Sequence, residues 1–285
     1  MSFLETALLG ALAGFTIFLG LPVGRLQLLG ARARVGLAMF SVGVLVFLLV
    51  DVLSHGFAIS EHAVEAFKEG NGSFGRAAAL SLLLLGGFGA GCAGLGLLER
   101  RLRPDAIPPP IAGGATDAMA LADHQRLQAH ADATRGRALR VGLIVAMAIG
   151  LHNFAEGLAI GVSAQAGEIG LATVLIIGFA LHNSTEGFGI VGALGDVRPS
   201  WSWLGVAGLV GGAPVFLGAM VGYNVTSEPL ELLFYGVAGG AILYVIGEIW
   251  RGMGRYGHRE LGLSLLAVGF AAGVVTDLVV VYGGG

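Results

Sequence analysis

Eight apolar runs, each near the roughly 20 residues that a helix needs to cross bilayer hydrocarbon, set the terms on which this chain can fold. They cover residues 3–21, 35–53, 77–98, 139–163, 169–194, 201–222, 230–249 and 261–282. The expected fold class is therefore all-α, a polytopic membrane protein of eight transmembrane helices. Composition agrees, since 12% of residues are charged and the mean hydropathy is +0.81, against about 25% charged in soluble domains. The first run is too long, and too poor in preceding positive charge, for a signal peptide, and it counts as a span.

The basic residues orient the bundle. With eight spans, fourteen of the sixteen Lys and Arg fall in alternate loops on one side, and only Lys68 and Arg76 lie on the other. Because Lys and Arg gather on the cytoplasmic side, both termini are expected to be extracytoplasmic. Residues 99–138 then form one long cytoplasmic connection within a single transmembrane domain, 1–285. Its prolines and polar residues read as a tether, with His124 and His130 as weaker metal-sensing candidates. On the opposite side Glu61, Glu65 and Glu69 recur every four residues, an acidic helical face more simply read as solvated than as a cation collector. Topology accounts for the basic side of the chain, so no nucleic-acid partner is expected; the bilayer is its surroundings.

One short polar word occurs twice within the apolar hairpin 139–195: Leu151-His152-Asn153-Phe154-Ala155-Glu156-Gly157 and Leu181-His182-Asn183-Ser184-Thr185-Glu186-Gly187. On a helix, His and Glu four positions apart share a face, and the Asn next to each His is turned about 100° away. The copies start thirty residues apart, and the polar break between their runs spans only Gln165 to Glu168. A tight antiparallel connection places both words at the same depth.

Ionisable side chains deep in a membrane cost at least about 2.5–3.5 kcal/mol each on insertion scales, so they face the interior and mark a pathway. His152, Glu156, His182 and Glu186, with the amide oxygens of Asn153 and Asn183, offer nitrogen and oxygen donors suited to Zn2+, Fe2+, Mn2+ or Co2+. A single such pair reads most simply as a hydrogen bond between helices; a matched pair of pairs does not. An intramembrane metal-dependent hydrolase is the alternative. It calls for His-Glu-x-x-His, with a Glu left over as base, and that order is absent. No P-loop is present to couple transport to ATP. The lone Cys92 excludes an internal disulfide and a multi-thiolate site. The fifty glycines suit close helix approach in lipid.

At these residues the chain resembles the ZIP family of divalent metal transporters, through the two HNxxEG motifs on the fourth and fifth spans and the long loop after the third. The resemblance implies a membrane transporter and not an enzyme, carrying metal toward the cytoplasm across the cell membrane (the inner one in a Gram-negative cell). Zinc is the leading cargo, with Fe2+, Mn2+, Co2+ and Cd2+ as alternatives, and a homodimer is a frequent assembly. It implies a site formed by His152, Asn153, Glu156, His182, Asn183 and Glu186. Glu248 on the seventh span becomes an exit-side ligand, and Asp51 a weaker candidate for the entrance. Family motifs carry Pro before the Glu, whereas Ala155 and Thr185 stand here; the sixth span, around Pro214, lacks the acid that many members have; and Asn183 takes a place where some relatives carry an acid. One well-held ion is therefore expected rather than two. Asp277 has no assigned partner.

Overall fold

A computed structural model describes residues 1–25, 30–102, 117–167, 180, 183–224 and 227–282. All regular structure among these residues is helical. In chain order the helices are α1 (Phe3–Phe15), α2 (Ile17–Gly20), α3 (Ala31–Lys68), α4 (Phe74–Leu102), α5 (Asp117–Gln165), α6 (183–192), α7 (Trp201–Asn224), α8 (Glu228–Met253) and α9 (Arg259–Tyr282). A 3-10 turn over Leu21–Arg25, where Pro22 removes a backbone donor, carries the chain out of α2.

Local chemistry explains several of these boundaries. Ser2 and Glu5 form a capping box, with Ser2 N donating to Glu5 Oε2 at 2.8 Å and Glu5 N to Ser2 Oγ at 3.3 Å, so two otherwise orphaned donors are satisfied. Glu228, Pro229 and Glu231 occupy the first turn of α8, where carboxylates complement the positive helix end and proline costs no hydrogen bond.

Two helices run well past their apolar spans. α3 has 38 residues, about 57 Å at 1.5 Å per residue, so the acidic face of Glu61, Glu65 and Glu69 is the exposed continuation of the second span. α5 has 49 residues and begins at Asp117, so the latter part of the 99–138 connection is helix rather than tether. Its Ala, Leu, Gln and Arg are strong helix formers, and no proline interrupts them. Residues 103–116 of that connection lie outside the described residues.

Among the described residues seven helices are long and apolar enough to cross a membrane, and half of the expected fifth span, 169–194, falls outside them. The surface pattern is that of a protein in lipid. On α1, Leu4, Leu8 and Leu12 form an exposed stripe, while Gly10, Ala13 and Gly14 are buried. α7 buries Gly208, Gly211, Gly212, Gly218 and Gly222. Large apolar groups face outward and small ones inward, as close-packed membrane helices require. α5 and α1 pack on α7, whereas α4 packs on α8 and α9 on α3; α5 also meets α8. Among these pairings the bundle divides into two groups of helices that touch along α5 and α8, and α6 also meets α3, where Ser41 Oγ donates to the Thr185 carbonyl at 3.4 Å and an added Cβ on Gly192 would meet Ala38.

Candidate metal site

The first motif lies on α5, the described part of the second on α6. Helical periodicity stacks His152 above Glu156, with His152 Nε2 2.8 Å from Glu156 Oε1. Glu186 approaches from α6, its Oε1 4.0 Å from the same nitrogen. All three are buried, at 1%, 6% and 2% exposure, within an apolar cluster that includes Ile149, Ala155 and Ile190. Two carboxylates and an imidazole are thus directed at one small volume with almost no access to bulk water. Such a set persists only if it shares a proton or a cation, because burying separate charges costs several kcal/mol each.

The two asparagines differ. Asn153 donates from Nδ2 to Glu186 Oε2 at 3.1 Å and to the Gly211 carbonyl of α7 at 2.9 Å, so it ties Glu186 to α7. Asn183 donates to the Ala13 carbonyl of α1 at 3.2 Å. Both Oδ1 atoms are buried without a hydrogen-bond partner among the described residues. In water each would accept hydrogen bonds, so an enclosed oxygen of this kind is a candidate donor to a cation.

The structure therefore brings His152, Asn153, Glu156 and Glu186 together, while Asn183 has its amide nitrogen on α1. His182 lies outside the described residues. Glu248 sits late on α8 and is ion-paired with Arg251 at 2.6 Å. Asp51 stands 3.7 Å from His55 on α3 and lies within electrostatic reach of His152 and Glu156. Among the described residues no three His, Cys, Asp or Glu side chains already stand in a geometry that encloses an ion.

Sequence reasoning missed two features. The closing glycine of each motif is a helix crossing. A Cβ on Gly157 would lie 2.9 Å from Gly218 Cα and meet the Val215 carbonyl of α7, and one on Gly187 would lie 2.9 Å from Gly20 Cα of α2. The motif glycines hold the ligand-bearing helices against their neighbours. The other is a cavity of about 170 Å3 between α5 and α8, lined by Ala155, Ala159, Ser163, Glu231 and Tyr235, which begins at the motif itself. Glu231 was legible as a charge next to an apolar run, but only the packing of α8 on α5 places it beside the motif.

Comparison with known proteins converges on one family. The family model described as ZIP zinc transporter matches residues 114–246, which include both motifs. The chain is 35% identical over 141 residues to the zinc transporter GufA of Myxococcus xanthus, an alignment that takes in 48% of this chain and 55% of that protein; it thus spans about half the length of that relative. It is 27% identical over 284 residues to the zinc transporter ZupT of Corynebacterium glutamicum, covering 93% of this chain and 97% of that one.

Proposed function

For a chain that belongs to the ZIP family, we propose that it carries divalent transition-metal ions, zinc first among them, across the cell membrane toward the cytoplasm. Fe2+, Mn2+, Co2+ and Cd2+ are the alternative cargoes compatible with the donor set. The observation that carries this reading is the convergence of His152, Glu156 and Glu186 on one buried point between two helices.

In this reading His152, Glu156 and Glu186 bind the ion together with His182, and the imidazole gives up its hydrogen bond to Glu156 in doing so. Asn153 orients Glu186 through its N–H, and the Oδ1 atoms of Asn153 and Asn183 supply neutral oxygens. Ligands must be deprotonated to bind, so each ion taken up displaces protons from this cluster. The cavity that Glu231 and Tyr235 line between α5 and α8 supports an approach from the extracytoplasmic side, and Glu248 serves as an exit-side ligand that exchanges Arg251 for the departing ion. Movement of the helix group carrying the motifs against the other group alternates access, as in other transporters with a midplane site.

The same proposal takes residues 1–285 as one transporter domain with eight spans, 169–194 among them, both termini outside, 99–138 on the cytoplasmic side, and two copies assembling as a homodimer. An intramembrane hydrolase is not favoured, since both named relatives are transporters and no carboxylate is left over as a dedicated base. Uptake of zinc into proteoliposomes holding a fluorescent zinc reporter tests the reading. The native chain should load the vesicles, while His152→Ala and Glu186→Gln should lose at least about tenfold in rate. Equal uptake by all three proteins would defeat the site assignment, and cleavage of a membrane substrate without flux would revive the hydrolase.

A further inference from the structure

A cluster of positive charge lies apart from the metal site. Beyond the end of α6, a cavity of about 190 Å3 is lined by Arg25 of the 3-10 turn, Arg34 of α3, and Asp196 and Arg198 of the loop before α7, with Phe188 and Val191 of α6 as its apolar wall. It carries three guanidinium groups against one carboxylate, a formal balance of +2. Arg34 is ion-paired with Asp196, which also accepts from Tyr256 Oη at 3.1 Å. Arg25 donates to the Pro199 carbonyl and lies 4.7 Å over the Trp201 ring. The Arg198 side chain is exposed and has no partner among the described residues, while its carbonyl is held by Arg135 of α5 at 3.2 Å.

We propose that this cavity binds the phosphate of an anionic phospholipid headgroup, clamped between Arg25, Arg34 and Arg198. The volume far exceeds the roughly 10–15 Å3 that one water needs, and guanidinium forks are matched to phosphate oxygens. The depth points to a lipid rather than a soluble anion. Trp201 is 63% exposed at the point where α7 begins, and exposed indoles settle at the headgroup level of a membrane. Arg25 lies over that ring, so the cavity opens at the same level. Fourteen of the sixteen basic residues occupy this side of the chain, and basic pockets between membrane helices suit acidic headgroups. A lipid held here would brace α3, α6 and the α7 entry against one another, on the face of the bundle from which the proposed cargo leaves.

Native mass spectrometry of the full-length protein tests this, with the protein released from micelles doped with phosphatidylglycerol, phosphatidylcholine, or no lipid plus inorganic phosphate. The variants Arg198→Lys, Arg198→Gln and Arg198→Glu change only an exposed side chain, and equal thermal midpoints in lipid-free micelles establish that each is folded. Native protein should retain one phosphatidylglycerol and not phosphatidylcholine. Arg198→Lys should keep most of that retention, Arg198→Gln should lose about fivefold, and Arg198→Glu should abolish it. Retention of phosphatidylglycerol by Arg198→Glu at the native level, or equal retention of phosphatidylcholine, would overturn the proposal. Displacement of the lipid by inorganic phosphate at equal concentration would overturn the lipid as its occupant.

Discussion

The relation between His152 and Glu156 follows from helical period alone: four residues, one face, 2.8 Å in the structure. What each asparagine does was not legible, because amide orientation is chosen by tertiary partners that no local pattern names. Both are expected to present oxygen to an ion, and each Oδ1 is buried without a hydrogen-bond partner among the described residues; what the sequence did not say is that Asn153 turns its N–H toward Glu186 and Gly211, and Asn183 its own toward Ala13. Asn153→Ala should therefore leave His152 and Glu156 in place yet release Glu186. Loss of such an orienting contact weakens metal binding by about 10–100-fold, to be read as the zinc Kd of the purified protein by competition with a chromophoric chelator. Asn153→Asp should behave differently, since it adds charge to the cluster while losing the donated N–H. Protons compete for the same atoms, so the apparent zinc Kd should rise as pH falls, roughly tenfold per unit for each proton displaced from an imidazole or carboxylate. A Kd flat between pH 7.5 and 5.5 would mean that no proton leaves the cluster when the ion binds, and the account of a proton shared there would fail.

At the scale of single helices, seven of the apolar runs fall within helices long and apolar enough to cross a membrane, but the runs do not say how far those helices continue. A run ends where hydropathy falls, whereas a helix ends where backbone bonding fails. The polar stretches after Leu53 and before Leu139 hold good helix formers, and α3 and α5 continue through them. Glycine count was equally blunt, for fifty glycines cannot announce which of them sit at crossings. Gly157 and Gly187 do, each against backbone of a neighbouring helix. Gly157→Leu should force α5 off α7 and cost about 1–3 kcal/mol or more, seen as a lower thermal midpoint in detergent. Gly205→Ala in α7, where an added Cβ meets nothing within 4 Å, should leave the midpoint within about 0.5 kcal/mol of native. If both variants melt alike, the crossing is not what holds the motif helix in place.

For the whole molecule, the helices divide into a group around α7, which carries the first motif on α5, and a group built from α3, α4, α8 and α9. Nothing in a one-dimensional pattern reveals such a division, because it depends on which apolar faces choose one another. One seam between them runs along α5 and α8, where the Phe154 and Phe234 rings stand 4.7 Å apart at their centroids; α6 against α3 is another. Phe154 belongs to the motif, so any relative movement of the groups has to part these two rings. In a Cys92→Ser background, Phe154→Cys with Phe234→Cys should become joined by a short bifunctional maleimide. The joined protein should then bind zinc with near-native affinity but move none into proteoliposomes, whereas either single variant, treated the same way, should still transport. Unimpaired uptake by the joined double variant would mean that the ion passes through a fixed pore along this seam, and the two-group account of transport would fail while the buried His152, Glu156 and Glu186 cluster stood.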